Sequence, residues 1–166
     1  MEAFKKDFLG IIRNAICGTG CAVSEDFDWK KAYDVSKKHQ IFSPVYYGAF
    51  ADPSFMKSEV FSAFTEANVS CVGISERQLY VFGELVKLFT EHGVSFLPIK
   101  GIVLKKLYAY PEMRTMSDVD ILIKSEEYDK IRGILKSAGY AEGIESDHEL
   151  HWKKDDVFIE LHKRLI

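Results

Sequence analysis

The hydrophobic period of this chain changes once, near Gly93, and that change limits its fold more than any other feature. Before Gly93, apolar residues recur at three- and four-residue steps, the period of a helix with one buried face. Phe4, Phe8, Ile11, Ile12 and Ala15 make such a stripe, which stops in the stretch from Gly18 to Gly20. Asp26 can cap a second helix with Trp29, Ala32, Tyr33 and Ser36 inward. Ser43-Pro44 then starts a third helix over Val45 to Phe50, and Asp52-Pro53 makes a turn. From Phe55 to His92 the spacing stays helical and reads as two helices parted near Gly73, with Gly93 as the stop.

After Gly93, short runs of β type alternate with single helical segments, the grammar of a sheet with helices packed on it. Val94 to Ile99 reads as a strand, Gly101 to Tyr108 as a helix, and Ala109 to Ser117 as a loop around Pro111. Asp118 to Lys124 is a strand, and Glu126 to Ala138 a helix closed by Gly139. Strands over Glu149 to Lys153 and Val157 to His162 follow. The expectation is an α+β protein: a helical N-terminal subdomain over residues 1–92, then a small α/β-type unit over 93–166.

Composition narrows what such a chain can do. With 47% hydrophobic and 28% charged residues, 166 residues can bury a core without a metal or disulfide staple. Its 22 basic and 25 acidic side chains give a net charge of −3. That balance offers no broad cationic surface for nucleic-acid phosphates and argues against a non-specific nucleic-acid binder. Cys17, Cys21 and Cys71 are odd in number and lack Cys-x-x-Cys spacing, so they read as reduced, small buried residues of a cytoplasmic protein. Phe8 to Ile12 is too short for a signal peptide, and no apolar run reaches the roughly 18 residues of a membrane span. A protein without membrane partners is expected.

The chemistry concentrates in Ser117-Asp118-Val119-Asp120-Ile121-Leu122-Ile123. Strand side chains alternate, so Asp118 and Asp120 share one face while Val119, Ile121 and Ile123 take the other. Two carboxylates held side by side repel unless a cation or shared proton compensates, and magnesium is the natural compensator. The last strand repeats the pattern, with Val157, Ile159 and Leu161 inward and Phe158, Glu160 and His162 opposite. If the two strands are neighbours, Glu160 supplies a third carboxylate and a two-metal site becomes geometrically possible. Upstream, Lys100-Gly101 sits at a strand-to-helix turn, where a small residue and a positive charge suit a triphosphate. Arg114 can add a forked donor to a phosphate or orient an aspartate.

Plainer readings stand beside these. Paired aspartates at a strand start can be solvated turn residues, Glu160 a solvated acid, Lys100 a surface lysine and Arg114 half of a structural ion pair. His148-Glu149-Leu150-His151 has the wrong spacing for a zinc helix, and in a strand its two imidazoles face opposite ways. His162 shares the face of Glu160, but a structural histidine is the favoured reading there.

Taken jointly, four segments resemble a bacterial, largely uncharacterised nucleotidyltransferase family of the DNA polymerase beta-like superfamily. They are Ile99 to Gly101, Leu107 to Pro111, Arg114 to Leu122 and Ile159 to His162, with a helical leader from Asp28 to His39 and Pro44. The resemblance implies a polymerase beta-like fold with a small mixed sheet. It implies transfer of a nucleoside monophosphate from a nucleoside triphosphate to an acceptor hydroxyl, with release of pyrophosphate. It implies two Mg2+ ions, or Mn2+, held by Asp118, Asp120 and Glu160, with Glu160 also helping to deprotonate the acceptor. Lys100, Gly101, Arg114 and Ser117 would border the nucleotide.

Two departures accompany the resemblance. Superfamily members usually carry Gly-Gly or Gly-Ser at the turn, whereas Lys100-Gly101 is followed by Ile102. The sequence ends six residues past Glu160, so part of the acceptor pocket is expected from a missing segment or another subunit. The alternative reading is a non-catalytic nucleotide-binding or protein-interaction module of the same fold, and a phosphohydrolase using the same acids is a third. Base preference, acceptor and oligomeric state are left open by the sequence.

Overall fold

A computed structural model describes residues 2–146 and 149–164. Seven α-helices and five strands occur among them, in two compact units that interleave along the chain. The first unit comprises residues 1–74 and 107–115, the second residues 75–106 and 116–166.

The first unit is built from α1 (Glu2–Cys17), α2 (Trp29–His39), α3 (Phe42–Ala49), α4 (Pro53–Met56) and the first part of α5 (Phe61–Glu91). Asp28, not Asp26, caps α2: its side chain accepts from the Lys31 amide at 2.8 Å. The cap therefore lies two residues later than expected, and Trp29, Ala32 and Ser36 are buried while Tyr33 is half-buried. Helix α3 begins before Val45 because Pro44 falls in its first turn, where a missing amide hydrogen costs nothing. Residues 53–56 form a short helix capped by Asp52, where a simple turn was expected. The unit's core is aromatic: Trp29 meets Phe27 edge-on at 4.7 Å, and Phe55 meets Phe64 at 5.3 Å. Gly48 sets the approach of α3 to α1, since a Cβ there would stand 2.1 Å from the Ile11 carbonyl oxygen.

Helix α5 runs without a break through Gly73, which corrects the expectation of two helices. Gly73 is exposed and a Cβ on it would meet nothing within 4 Å, so the residue lowers propensity without interrupting the hydrogen-bond ladder. The helix ends at Gly93, whose φ of +60° lets the Val94 amide return to the Phe89 carbonyl at 2.9 Å.

The second unit holds a five-stranded mixed sheet of order β1-β2-β5-β4-β3. The strands are β1 (Phe96–Pro98), β2 (Asp118–Ile123), β3 (Ala141–Glu145), β4 (Glu149–Lys154) and β5 (Val157–His162). Only β2 and β5 pair in parallel, and the other three pairs are antiparallel. Helix α6 (Lys100–Leu104) follows β1, and α7 (Tyr128–Ser137) follows β2. One sheet face is apolar. Its Val119, Ile121, Ile159, Leu161 and Trp152 share a core with Val81, Leu85 and Phe89 of α5 and Ile131 and Leu135 of α7. Strand β3 escaped the sequence reading because every one of its residues is exposed, leaving no alternation to detect.

The cysteines are not buried as expected: Cys17 is exposed, and Cys21 and Cys71 are half-exposed free thiols. Among the described residues, no helix is long and apolar enough to cross a membrane.

Candidate active site

The sheet face opposite the apolar core carries the acids. Alternation along β2 turns Val119, Ile121 and Ile123 into the core and leaves Asp118 and Asp120 on the other side. The parallel β2–β5 register then sets Asp120 beside Glu160, Asp118 beside Phe158 and Leu122 beside His162. Strand β4 continues the row, with His151 beside Glu160 and Glu149 beside His162. Glu160 thus lies between Asp120 and His151 on neighbouring strands.

Asp120 is the buried centre of this group, only 4% exposed. Its Oδ1 accepts the Lys100 ammonium at 2.6 Å and lies 2.9 Å from His162 Nε2. His162 is also buried, with its Nδ1 3.5 Å from Glu149 Oε1 and its Nε2 3.7 Å from Glu160 Oε2. The imidazole lies between carboxylates, so His162 belongs to the acidic site and does more than fill space. Alternation on β5 had placed it on the right face, but only the three-dimensional register reveals its contact with Asp120.

Lys100 is aimed by its backbone. The Ile99 amide donates to the Asp120 carbonyl at 3.0 Å, fastening the end of β1 to β2, and Lys100 then turns with φ +52°. Its ammonium, expected to await a phosphate, engages Asp120. That hydrogen bond raises the Lys100 pKa, with the negative charges of Asp120, Glu160 and Asp118 adding to the rise and burial opposing it. Burial raises the Glu160 pKa, and the charges of Asp118, Glu149 and Asp120 push it the same way while His151 opposes them.

The remaining expected residues divide. Asp118 accepts from the Ser117 hydroxyl at 2.9 Å, and Ser117 is itself exposed. Gly101 is buried with Met116 beside it, since a Cβ there would stand 3.1 Å from both Met116 Cβ and Sδ. Its small size therefore has a packing cause independent of any phosphate. Arg114 belongs to the first compact unit, and its guanidinium donates to the Thr115 carbonyl. His148 lies outside the described residues.

The donor chemistry fits a divalent cation. Asp120, Glu160 and His162 each present a ligand atom, all within 4.8 Å of one another, and Glu149, His151 and Glu160 form a second such group. Glu160 is common to both groups. Asp118 is in neither, although its charge acts on Glu160 and Lys100. Two of the first three donors are buried, so their positions are held by packing before any ion arrives.

Comparison with known proteins gives a family. Residues 25–166 match the family described as uncharacterised nucleotidyltransferase. No curated protein matches the sequence. Two solved structures of the antibiotic-resistance factor ANT(2'')-Ia align with part of the chain. One, a solution structure, gives a TM-score of 0.47 at 13% identity, covering 53% of this chain and 47% of that one. The other, a crystal structure with adenylyl-2''-tobramycin, gives 0.46 at 14% identity, covering 52% and 49%. The aligned part spans about half the length of those proteins. With most of its length matched, and with an Asp-x-Asp strand running parallel to the strand of its third acid, the chain belongs to the uncharacterised nucleotidyltransferase family.

Proposed function

We propose that this protein transfers a nucleoside monophosphate from a nucleoside triphosphate to an acceptor hydroxyl and releases pyrophosphate, using divalent cations. The observation that carries the reading is the register of Asp120 with Glu160 across the parallel strands, with Asp118 on the same face and Lys100 on Asp120. Carboxylates crowded on one side of a sheet are destabilising alone, and a fold that retains them gains from a cation-dependent task.

Asp120, Glu160 and His162 would hold one cation, and Asp118, on the same sheet face, would help to hold a second. When bound, Mg2+ or Mn2+ supplies charge that offsets the phosphates and the developing negative charge at the α-phosphate. The chain does the rest by positioning. Before an ion binds, Lys100 and His162 both engage Asp120 Oδ1, at 2.6 and 2.9 Å, and so preset the position of that carboxylate. Glu160 would take the acceptor hydroxyl proton on a carboxylate oxygen as the acceptor oxygen bonds to the α-phosphorus. The bond from the α-phosphorus to the bridging oxygen breaks, and pyrophosphate leaves with that electron pair. Buried Ile121 and Ile159, inward on β2 and β5, keep both acid-bearing strands rigid.

The test is pyrophosphate release and labelled-nucleotide transfer with ATP, CTP, GTP and UTP, with Mg2+ or Mn2+, over a panel of hydroxyl acceptors. Asp120→Asn is expected to lower transfer at least about 100-fold while the chain stays folded. Equal transfer by Asp120→Asn and the natural protein would overturn the assignment. Triphosphate binding without pyrophosphate release across the panel would favour a non-catalytic module.

A further inference from the structure

Lys100 and Asp120 pose a question that the transfer reaction leaves unanswered. Asp120 is buried, yet the lysine on it is largely outside: the Lys100 side chain is 58% exposed and that of Asp120 5%. The ammonium stands 2.6 Å from Oδ1, the same oxygen that His162 Nε2 approaches at 2.9 Å. Of the two carboxylate oxygens, this one is thus the focus of the site's positive and imidazole groups. A cation held by Asp120, Glu160 and His162 would draw on the same carboxylate, and a bound ammonium opposes a second positive charge at that distance. A divalent ion there would compete with the ammonium.

Local structure makes the exchange inexpensive on one side only. The backbone at Lys100 is fixed, because the Ile99 amide is bonded to the Asp120 carbonyl and Lys100 holds a left-handed φ of +52°. The Lys100 side chain is more than half exposed and belongs to no apolar core, so it can swing away without opening one. An ammonium released this way remains tethered at the edge of the acid cluster, where a polyphosphate would attract it.

We propose that Lys100 is the resident counter-ion of Asp120: a positioning residue that occupies the cation site, yields it to a divalent ion, and is then engaged by the triphosphate. Metal and nucleotide bind as a coupled pair, each promoting the other by the same factor. The nucleotide half rests on the transferase reading, whereas the metal half stands on the Lys100–Asp120 geometry alone.

The experiment measures Mn2+ affinity of the full chain by electron paramagnetic resonance of free Mn2+, with and without α,β-methylene triphosphate analogues of the four nucleotides. Lys100→Met and Lys100→Arg are compared with the natural protein, and thermal unfolding establishes that each is folded. Lys100→Met is expected to bind Mn2+ alone about 10-fold more tightly, and Lys100→Arg to stay near the natural value. An analogue that binds should tighten Mn2+ about 10-fold in the natural protein and no more than about 2-fold in Lys100→Met. Unchanged or weaker Mn2+ binding by folded Lys100→Met would overturn the proposal. Tighter Mn2+ binding by Lys100→Met with no analogue bound by either protein would uphold the counter-ion role and remove the transferase reading.

Discussion

Glu160 and Asp120 are register partners across the parallel β2–β5 pair, and Glu160 faces His151 on its other side. Its carboxylate therefore sits midway along a row of ionisable groups on three neighbouring strands, which gives it a predictable effect on stability.

The Glu160 pKa is raised by burial and by the charges of Asp118, Glu149 and Asp120, so the folded state binds its proton more tightly than the unfolded chain does. The stabilisation this provides is complete below the ordinary glutamate range and is lost as pH rises through the folded pKa. At pH 7 without metal, Glu160→Gln should raise Tm, by a few degrees at most for a chain of this length. The gain should vanish below about pH 4, where Glu160 is protonated in both states. Saturating Mn2+ should reverse the order at pH 7 by stabilising the natural protein more. Thermal scans across pH decide it, and a lower Tm for Glu160→Gln in metal-free buffer at pH 7 would contradict the electrostatic picture.

His162 brings nitrogen into an otherwise oxygen donor set. Imidazole suits first-row transition-metal ions better than magnesium, and this holds even for Mn2+, the weakest binder of that series. Mn2+ should accordingly bind at least about 10-fold more tightly than Mg2+, and His162→Ala should erase most of that difference. Calorimetric titrations of both ions into both proteins test this. A preference for Mn2+ undiminished in His162→Ala would remove His162 from the donor set.

Gly101 and Met116 form a packing pair. Gly101→Ala places its methyl 3.1 Å from Met116 Cβ and Sδ, and should cost about 1 kcal/mol. Met116→Ala removes the Sδ contact and leaves the Cβ one, so the double variant should lose less stability than the sum of the single changes by about 0.5 kcal/mol. Denaturant unfolding of all four proteins measures the coupling, and strict additivity would refute the contact.

Gly73 presents the opposite case. It lies exposed within α5, and a Cβ there meets nothing within 4 Å. Gly73→Ala should stabilise the chain by about 0.5–1 kcal/mol through helix propensity and the unfolded-state entropy it removes. A fall in Tm would mean that the helix needs to yield at this point.

The sequence exposes structure where one physical signal dominates. Strand β5 emerges with the boundaries its alternation implied, and β2 ends one residue earlier than expected, because on each strand apolar core residues alternate with residues of the opposite face. Strand β3 has no buried face and left no pattern to read. Helix α5 continued through Gly73 because a single exposed glycine costs less than the packing on either side of it provides. For the site, alternation could place Asp118 with Asp120 and Glu160 with His162, but not one pair beside the other. That depends on a parallel pairing between segments about 40 residues apart, which local patterns do not encode. Glu149 and His151 entered through the antiparallel partner of β5, and the Lys100 ammonium through a left-handed turn that no residue type announces.

The interleaving of the two units bears on how the acid-bearing sheet could ever be separated from the rest. Val81, Leu85 and Phe89 line the sheet's apolar side but precede Gly93, and residues 107–115 depart to the first unit before β2 begins. A peptide starting at Gly93 would leave that apolar side bare and prone to self-association. Grafting this unit into another protein would require the second half of α5 to travel with it and a new bridge in place of the 107–115 excursion.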